Sequence, residues 1–273
     1  MTGSGAARLV ADIQRLLETR WLARELHGLD ETDSTNRVAT EHALSGAAHG
    51  TTILAEAQSR GRGRHGRSFF SPAGRNLYTS IVLSPDEAGP APTTVLAAGL
   101  AVAQTAAAAL GAPERVSIKW PNDVQIDGRK TSGILMEAVP VGDRRVGVLG
   151  IGINLNVDRS ELPVEFRDRA TSLSAALGAP VDRAAFAARL YGTLEAVLDL
   201  HQRSGFEGVR AAFDGFFQMR GEEVRVADLE GRVRVTGKAV GIGADGSLRV
   251  ACADGREERV LAGDVTVVKE PVR

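Results

Sequence analysis

Hydrophobic positions from Trp21 onward alternate between short β-like runs and longer runs at helical spacing, a pattern typical of a mixed sheet with helices packed against it. The pattern predicts strands near residues 22–29, 51–55, 77–83, 116–119, 134–139 and 146–155. It predicts helices over residues 36–44, 94–110, 183–201 and 208–217, with Asp182 as the N-cap of the third. The prolines between Ser84 and Thr94 predict a loop. The expected fold class is therefore α/β, in the α+β sense of one mixed sheet.

The two ends of the chain differ in texture from this middle part. Apolar residues recur at helical spacing within the first 20 residues, which predicts a short amphipathic helix. After Gly221 the chain is rich in β-branched residues, and Ala-Asp-Gly turns at 244–246 and 253–255 separate runs short enough to close a small SH3-like barrel. A chain of 273 residues is long enough for two unequal domains, so we expect the division 1–20, 21–219 and 220–273.

Composition and charge exclude several classes of protein. The formal charge of -1, from 33 Lys and Arg against 34 Asp and Glu, gives no overall field toward nucleic acid or anionic membranes. Cys252 is the only cysteine, which excludes an intramolecular disulfide. The N-terminus lacks the apolar core of a signal peptide, and the uncharged, alanine-rich stretch 94–112 favours a buried helix over a membrane span. We therefore expect a cytoplasmic protein.

The segment Glu56–Arg67, EAQSRGRGRHGR, alternates glycines with arginines directly after a predicted strand. Glycine lets a backbone approach a ligand closely, and each guanidinium can bind a phosphate or carboxylate through two parallel hydrogen bonds, so this loop suits an anion. Its glycines formally satisfy a dinucleotide-binding fingerprint and nearly satisfy a P-loop, but both need a helix directly after the loop. The following FFSPAGRN favours a turn instead. RNA binding by an arginine-glycine run and a solvated loop without function are the remaining alternatives.

A second dense segment, Ser117–Met136, contains the run KWPND at residues 119–123. A cation, an aromatic face, an amide and a carboxylate within one turn at a strand end can line a ligand site. Asp127-Gly128 predicts a tight hairpin that returns Lys130 to the neighbourhood of this run. Each residue alone has an ordinary structural explanation, such as a surface ammonium group, a turn former or a core aromatic. Their joint spacing favours a site.

Two weaker signals flank these segments. The run DSTN at residues 33–36 places short hydrogen-bonding side chains at a helix start, where a plain N-cap is the simplest explanation. Gly147, Gly150 and Gly152 alternate along a predicted strand, a pattern expected where another group lies against the backbone. Alone, neither signal identifies a ligand.

In this order, the motifs DSTN, EAQSRGRGRHGR, SPAGRNLYTSI, KWPNDV, GRKTSGIL and GIGINLNV resemble the catalytic domain of biotin-protein ligases. The resemblance extends from about Trp21 to the C-terminal barrel. It implies the mixed-sheet fold of the biotin/lipoate ligases, related to class II aminoacyl-tRNA synthetases, with a C-terminal SH3-like β-barrel. We expect the form without an N-terminal DNA-binding domain, because the chain before residue 30 is too short for a helix-turn-helix.

The resemblance implies a two-step reaction that uses biotin, ATP and Mg²⁺. The carboxylate of biotin attacks the α-phosphate of ATP, which gives biotinyl-5'-AMP and pyrophosphate. A lysine of a carrier protein, such as the biotin carboxyl carrier domain of acetyl-CoA carboxylase, then attacks the acyl carbon. Cationic side chains suit this chemistry because two anions must be brought together.

The resemblance also implies roles for individual residues. Catalytic roles are expected for Arg62, Arg64, Lys130 and Asp123. Asp123 is expected to hold Mg²⁺ or to orient the acceptor lysine. Biotin contacts are expected from Ser34, Thr35, Asn36, Gln58, Arg62, Gly63, Arg64, Lys130 and Gly133. Nucleotide contacts are expected from Arg64, Arg67, Lys119, Trp120, Asn122, Lys130 and Asn154.

The chain departs from the family pattern at two places. Phe69 stands where the family often has an indole, and Thr131-Ser132 stands where it often has Leu-Ala, which predicts a more polar wall. A lipoate-type protein ligase is the rival function within the same fold, and a non-catalytic RNA-binding module is the rival from another class. No DNA or membrane partner is expected. The oligomeric state stays open, with a homodimer as one alternative.

Overall fold

The computed structural model describes residues 4–84, 91–228 and 230–268. Within them, helices α1–α5 span Gly5–Leu16, Thr35–Leu44, Thr94–Leu110, Leu173–Leu177 and Arg183–Phe216. Strands β1–β7 span Leu26–Thr32, Thr52–Gln58, Leu77–Leu83, Val116–Lys119, Asp123–Ile126, Arg129–Val141 and Arg144–Ile153. Strands β8–β12 span Glu223–Ala227, Val233–Ile242, Leu248–Ala251, Glu257–Val260 and Asp264–Val267.

A seven-stranded mixed sheet in the order β1-β2-β3-β7-β6-β5-β4 forms the frame of the larger part. β1 and β2 are parallel and are joined through α2, whereas the other neighbouring strands are antiparallel. Successive side chains of a strand point to opposite faces. Accordingly, Ile81 of β3 lies in a large core with α1, α3 and α5, and Val82 lies in a smaller core with α2. The sheet is thus covered on both faces, but by α2 alone on one of them.

Helix α3 is the alanine-rich segment of the sequence, and most of its residues are buried. It lies against α5 and the sheet, where small alanine side chains let neighbouring elements approach closely. The helix ends at Gly111, whose φ of 64° is the left-handed conformation that favours glycine. The predicted buried helix is confirmed. In the described ranges, no helix has the length and apolarity to cross a bilayer.

Helix α5 begins as predicted at Asp182, whose carboxylate accepts hydrogen bonds from the backbone N–H groups of Ala184 and Ala185 at 2.9 and 3.0 Å. The two helices predicted for this region form one helical run that is interrupted at Gly205, where φ is 63° and ψ is -165°. The second half, after Gly205, leads into the C-terminal sheet. The break therefore falls between the two predicted helices.

The C-terminal part is a five-stranded antiparallel sheet in the order β11-β10-β9-β8-β12. The two Ala-Asp-Gly turns join its strands as predicted, with Gly246 and Gly255 at positive φ. Closure of this sheet into an SH3-like barrel stays a prediction. The indole N–H of Trp120 donates to the carbonyl of Gly246 at 2.9 Å, and the core residues of the small sheet continue those of the large one. The two sheets therefore share one hydrophobic core.

Strands β1 and β5 differ from the predicted elements. Strand β1 begins at Leu26 instead of residue 22, because the backbone N–H groups of residues 20–22 donate to the carboxylate of Glu195 on α5. Strand β5 was not predicted, since its four residues follow Pro121 without an apolar run. Residues 85–90 of the predicted loop lie outside the described residues.

Candidate active site

A cavity of about 980 Å³ opens on the α2 face of the large sheet, beside α2. The strand register explains why the site residues meet there. Lys119, Asp123, Gly133 and Gly152 are successive partners across β4, β5, β6 and β7, so their side chains or hydrogens share one face. Every residue predicted for the site except Asn154 lines this cavity. The sequence motifs therefore converge at one place.

A network of uncharged polar groups lies where α2 begins. The side-chain oxygen of Gln58 accepts hydrogen bonds from the backbone N–H and the hydroxyl of Thr35, at 2.8 and 3.1 Å. The hydroxyl of Ser80 lies 2.8 Å from that of Thr35 and 2.6 Å from the side-chain oxygen of Asn36. Ser34 occupies the N-cap position, yet its side chain makes no capping hydrogen bond. A plain N-cap is therefore not the explanation of the DSTN run.

The alternating glycines of β7 leave room for side chains from two other elements, as predicted. A Cβ atom on Gly152 would lie 2.7 Å from the ring of Phe69, and a Cβ atom on Gly150 would overlap the side-chain oxygen of Asn36. Phe69 also lies against Gly133, where a Cβ atom would be 3.5 Å from its ring. The ring of Phe69 therefore covers two backbone glycines at the floor of the cavity.

The arginine-glycine segment forms a short, internally bonded loop, which we call the arginine loop (residues 61–69). The backbone N–H of Gly63 donates to the carbonyl of Arg67 at 2.6 Å, and that of Phe69 donates to the carbonyl of Gly61 at 2.8 Å. Its tip is a single helical turn at residues 64–66, with His65 at a φ of 57°. A strand, not a helix, follows the loop. This confirms the argument against a dinucleotide fingerprint and a P-loop.

The arginines of this loop contact three different parts of the protein. Arg62 Nη1 lies 3.6 Å from a carboxylate oxygen of Glu137, and Arg67 forms an ion pair with Asp264 at the start of β12. Arg64 Nη1 lies 3.3 Å from the side-chain oxygen of Asn122 and 3.5 Å from the carbonyl of Gly263. Burial lowers the pKa of the Arg64 guanidinium, while the nearby carboxylates of Asp264 and Asp123 act in the opposite direction.

The KWPND run and the hairpin lysine meet as predicted. Asp127 and Gly128, at φ of 51° and 73°, form the tight turn between β5 and β6. Lys130 Nζ lies 2.7 Å from Asp123 Oδ1, a charge contact without good hydrogen-bond alignment, since that buried oxygen has no hydrogen-bond partner among the described residues. Lys119 also faces the cavity. Two ammonium groups and one carboxylate therefore stand on the β4–β6 side of the site.

The indole of Trp120 is only 2% exposed and is hydrogen-bonded to the carbonyl of Gly246, so it holds the cavity wall in place, and its nucleotide contact stays a prediction. Two other sequence predictions need correction. Asn154 lies outside the cavity, where its side chain donates to the carbonyl of Thr171 at 3.2 Å. Thr131 and Ser132 do not make the wall more polar, because both are buried and their hydroxyls donate to backbone carbonyls of β7 and the residue after it.

Sequence reasoning missed several residues at the site. Ser80 and the adjacent Thr79 are hydroxyl residues within the buried strand β3, a signal that was available. Glu137 lies among the apolar residues of β6 and contacts both Asn36 and Arg62. Residues 166, 168–170 and 264–266 also line the cavity. They come from a loop and from the second sheet, and no local pattern in the sequence indicates these long-range contacts.

A magnesium ion fits this site only together with ligand oxygens. In the part of the chain that the structure describes, no group of three or more His, Cys, Asp or Glu side chains could hold a metal. Asp123, the predicted metal ligand, is already paired with Lys130. Mg²⁺ usually keeps several waters and binds one or two carboxylates together with substrate phosphates. Asp123 can therefore supply one ligand, and phosphate oxygens would supply others.

Comparison with known families identifies the class of protein to which this fold and site correspond. The profile of the biotin/lipoate A/B protein ligase family matches residues 28–154, and that of the biotin protein ligase C-terminal domain matches residues 221–268. The first match contains the DSTN run, the arginine loop, the KWPND run and the hairpin lysine. The second covers the five-stranded sheet.

Individual relatives narrow the class further. The biotin–[acetyl-CoA-carboxylase] ligase of Mycobacterium tuberculosis is 36% identical over 89% of this chain and 88% of its own length. The bifunctional ligase/repressor BirA of Bacillus subtilis is 34% identical over 93% of this chain and 78% of its own length. The biotin protein ligase from Aquifex aeolicus in complex with biotin and ATP superposes with a TM-score of 0.77 at 30% identity, over 90% of this chain and 100% of that one. The chain belongs to the biotin protein ligase family.

Proposed function

We propose that this protein is an ATP-dependent biotin-protein ligase, which forms biotinyl-5'-AMP and transfers biotin to a lysine of a carrier protein. The observation that carries the proposal is the division of the cavity by the strand order. Uncharged polar groups from α2, β2 and β3 stand on one side, and the cations Lys119 and Lys130 stand on β4 and β6. The volume of about 980 Å³ is at the upper end of the usual range for small-molecule sites, as an acyl-nucleotide requires.

On the uncharged side, we assign the acid substrate to Ser34, Thr35, Asn36, Gln58 and Gly133. Hydroxyl and amide groups suit the ureido ring of biotin, because a neutral ring buried in a partly apolar site needs hydrogen bonds but no counter-charge. The ring of Phe69 on the floor of the cavity supplies apolar cover. The structures of relatives bound to biotin support this assignment to the same class of ligand.

On the charged side, we assign the reacting carboxylate and phosphates to Arg62, Gly63, Arg64 and Lys130. The nucleotide would also contact Lys119, Asn122 and Arg67. These groups bring two anions together and stabilise the negative charge that develops at the α-phosphate. No protein nucleophile is required, because the acid itself attacks. Mg²⁺, held by phosphate oxygens and Asp123, would supply further charge neutralisation; alternatively, Asp123 orients the acceptor lysine.

The carrier protein is proposed to be a biotin carboxyl carrier domain. The name of the Mycobacterium tuberculosis relative gives acetyl-CoA carboxylase as its acceptor, which supports this class of partner. We also propose the domain division 1–20, 21–219 and 220–273, which is supported by the change from α5 to the second sheet after Phe216. A lipoate-type ligase remains the alternative, since one family profile includes both activities.

Isotope exchange between pyrophosphate and ATP tests the proposal directly. We expect exchange that depends on biotin and does not occur with lipoate. Mass spectrometry of a carrier domain incubated with the protein, biotin and ATP should then show one added biotinyl group. Exchange with lipoate alone would show that lipoate, not biotin, is the substrate. Exchange with neither acid would reject the ligase assignment in favour of a binding module.

A further inference from the structure

Glu137 lies behind the cavity wall and contacts one residue on each side of the cavity, Asn36 and Arg62. It lies on β6 directly opposite Val148 of β7, on the face that carries α2. One carboxylate oxygen accepts a hydrogen bond from the side-chain N–H of Asn36 at 2.7 Å, and the other lies 3.6 Å from Arg62 Nη1. Glu137 does not itself line the cavity, whereas Asn36 and Arg62 do. Its influence on a ligand must therefore pass through these two neighbours.

The contact with Asn36 fixes the direction of an amide group. A carboxylate can only accept hydrogen bonds, so the NH₂ group of Asn36 must face Glu137. The side-chain oxygen of Asn36 then faces Ser80, whose hydroxyl donates to it at 2.6 Å. The buried position of Asn36, 4% exposed, leaves little room for another rotamer. Without Glu137, the amide oxygen and nitrogen would lose the group that distinguishes them.

The contact with Arg62 gives that guanidinium a counter-ion inside the protein. Both side chains are partly exposed, at 48% for Arg62 and 35% for Glu137, and such ion pairs are weak. A carboxylate or phosphate that binds through two parallel hydrogen bonds is a stronger partner for a guanidinium. An arriving anion can therefore take over Arg62 while Glu137 keeps Asn36.

We infer that Glu137 is a positioning residue for the acid substrate, an inference that rests on the proposed function. It orients the amide of Asn36 on the uncharged side of the cavity and holds Arg62 within reach of the charged side. The network Arg62–Glu137–Asn36–Ser80–Thr35 then links the arginine loop to the start of α2. Binding of the acid, more than binding of ATP, depends on this residue.

Substitution of Glu137 separates its two contacts. Glu137→Ala removes both, whereas Glu137→Gln keeps an oxygen that can accept from Asn36 but removes the charge beside Arg62. In the exchange assay, we expect Glu137→Ala to raise the KM for biotin about tenfold or more, the factor that corresponds to loss of one charged hydrogen bond. The KM for ATP and kcat should change less than about threefold, since Arg64 and Lys130, whose contacts do not include Glu137, still bind the phosphates. The KM of Glu137→Gln for biotin should be close to that of the wild-type protein.

Glu41→Gln is the matched control, because Glu41 forms an exposed ion pair with Arg37 on the same helix as Asn36 and lies outside the cavity. An unchanged biotin KM in Glu137→Ala would overturn the inference. A fall in kcat and in melting temperature together with a rise in both KM values would also overturn it, in favour of a purely structural role. If Glu137→Gln were as impaired as Glu137→Ala, the assignment to Asn36 orientation would be wrong.

An experiment without turnover keeps this test independent of the substrate assignment. In ¹H–¹⁵N spectra of the ligand-free protein, the side-chain NH₂ signals of Asn36 should shift and exchange faster with water in Glu137→Ala, but not in Glu41→Gln. If the wild-type protein showed no biotin-dependent ATP–pyrophosphate exchange but the Asn36 signals shifted in Glu137→Ala, the proposed function would fail and the orienting contact would be supported. If the signals did not change, the inference would fail whatever the substrate.

Discussion

Lys130 and Asp123 show, at the scale of single residues, how the site carries charge before a ligand binds. Their side chains are 37% and 22% exposed and lie 2.7 Å apart, so each partly neutralises the other in a half-buried position. A phosphate that enters the site offers Lys130 a second anionic partner. The ammonium can bind such an anion without moving far, because Asp123 already holds it on the cavity wall.

Replacement of Lys130 by alanine should abolish most adenylate formation. We expect biotin-dependent ATP–pyrophosphate exchange to fall by about 10²- to 10³-fold, as for removal of one preorganised charge donor. The matched control is Lys238→Ala, since Lys238 is exposed on β9 of the small sheet. Asp123 loses its counter-charge in the variant, so the melting temperature of Lys130→Ala should be compared with that of the Lys130→Ala, Asp123→Asn double variant. Wild-type exchange in Lys130→Ala would remove this residue from the mechanism.

A methyl group at Gly152 should disturb the floor of the cavity. Its Cβ atom would lie 2.7 Å from the ring of Phe69, so the ring must move into the space for the acid. We expect Gly152→Ala to lower the free energy of unfolding by about 1–3 kcal/mol, as overpacking does, and to raise the KM for biotin. The control is Gly192→Ala in α5, which meets no atom within 4 Å and should stabilise the protein by up to about 1 kcal/mol. Equal effects of the two substitutions on the biotin KM would contradict this interpretation.

Residue types and spacing predicted the positively charged and amide groups of the site, because their chemistry is visible in short motifs. They did not predict whether a side chain faces the cavity. Trp120 and Ser132 belong to motifs that line the site, yet both point into the protein and are satisfied by backbone carbonyls. Glu137 has no distinguishing neighbour in the sequence, and its partners are 75 and 101 residues away, as the numbers of Arg62 and Asn36 show.

At the scale of elements, the arginine loop depends on the second sheet. Arg67 pairs with Asp264, and Arg64 approaches the carbonyl of the preceding Gly263. Both contacts come from the start of β12, so one strand end contacts two arginines, one in the turn at the loop tip and one directly after it. The loop therefore has a defined position before any anion binds.

Asp264→Asn should loosen this loop without unfolding the protein. The ion pair with Arg67 is partly exposed, at 67% and 34%, so its loss should change the free energy of unfolding by less than about 1 kcal/mol. We expect faster amide hydrogen exchange over residues 62–68 and a severalfold increase in the KM for ATP. Asp254→Asn is the control, because Asp254 pairs with Arg256 in an exposed turn of the same sheet. Unchanged exchange in Asp264→Asn would show that the backbone contacts alone hold the loop.

The period of the hydrophobic pattern predicted most of the elements. For uniformly buried elements such as α3 and β3, it also predicted the observed bounds. The incorrect predictions for β1 and β5 have a common cause: contacts with residues distant in sequence decide the backbone conformation there. Trp21 and Leu22 have apolar side chains that fit a strand, but the carboxylate of Glu195 accepts hydrogen bonds from the backbone N–H groups of residues 20–22. Strand β5 exists because β4 and β6 lie on either side of it.

At the scale of the whole molecule, α3 and α5 join the two sheets, and a buried histidine lies between these helices. The imidazole Nε2 of His201 lies 2.7 Å from the hydroxyl of Thr93, and a Cβ atom on Gly246 of the small sheet would lie 3.0 Å from Thr93. Burial lowers the pKa of His201 below its ordinary value of 6.5. The folded protein therefore takes up this proton less readily than the unfolded chain does.

This shift predicts a loss of stability in acid. Well above pH 6.5, His201 is neutral in both states and contributes no pH dependence. As pH falls below its ordinary value of 6.5, the unfolded chain binds the proton first, so the free energy of unfolding should decrease by up to about 1.4 kcal/mol per pH unit. Urea unfolding at pH 7.5 and 5.5 should show a smaller decrease for His201→Gln than for the wild type. His65→Gln, at an exposed position, is the control and should behave like the wild type.

The contacts of Trp120 and the arginine loop with the small sheet also limit where the protein can be truncated. A fragment that stopped near residue 219 would retain every strand of the large sheet, yet it would expose the buried indole of Trp120 to water and release Arg64 and Arg67 together. Neither half could then be exchanged between relatives as a self-contained unit. Chimeras of this protein should succeed only when the strand end at Gly263 and Asp264 is transplanted with its own arginine loop.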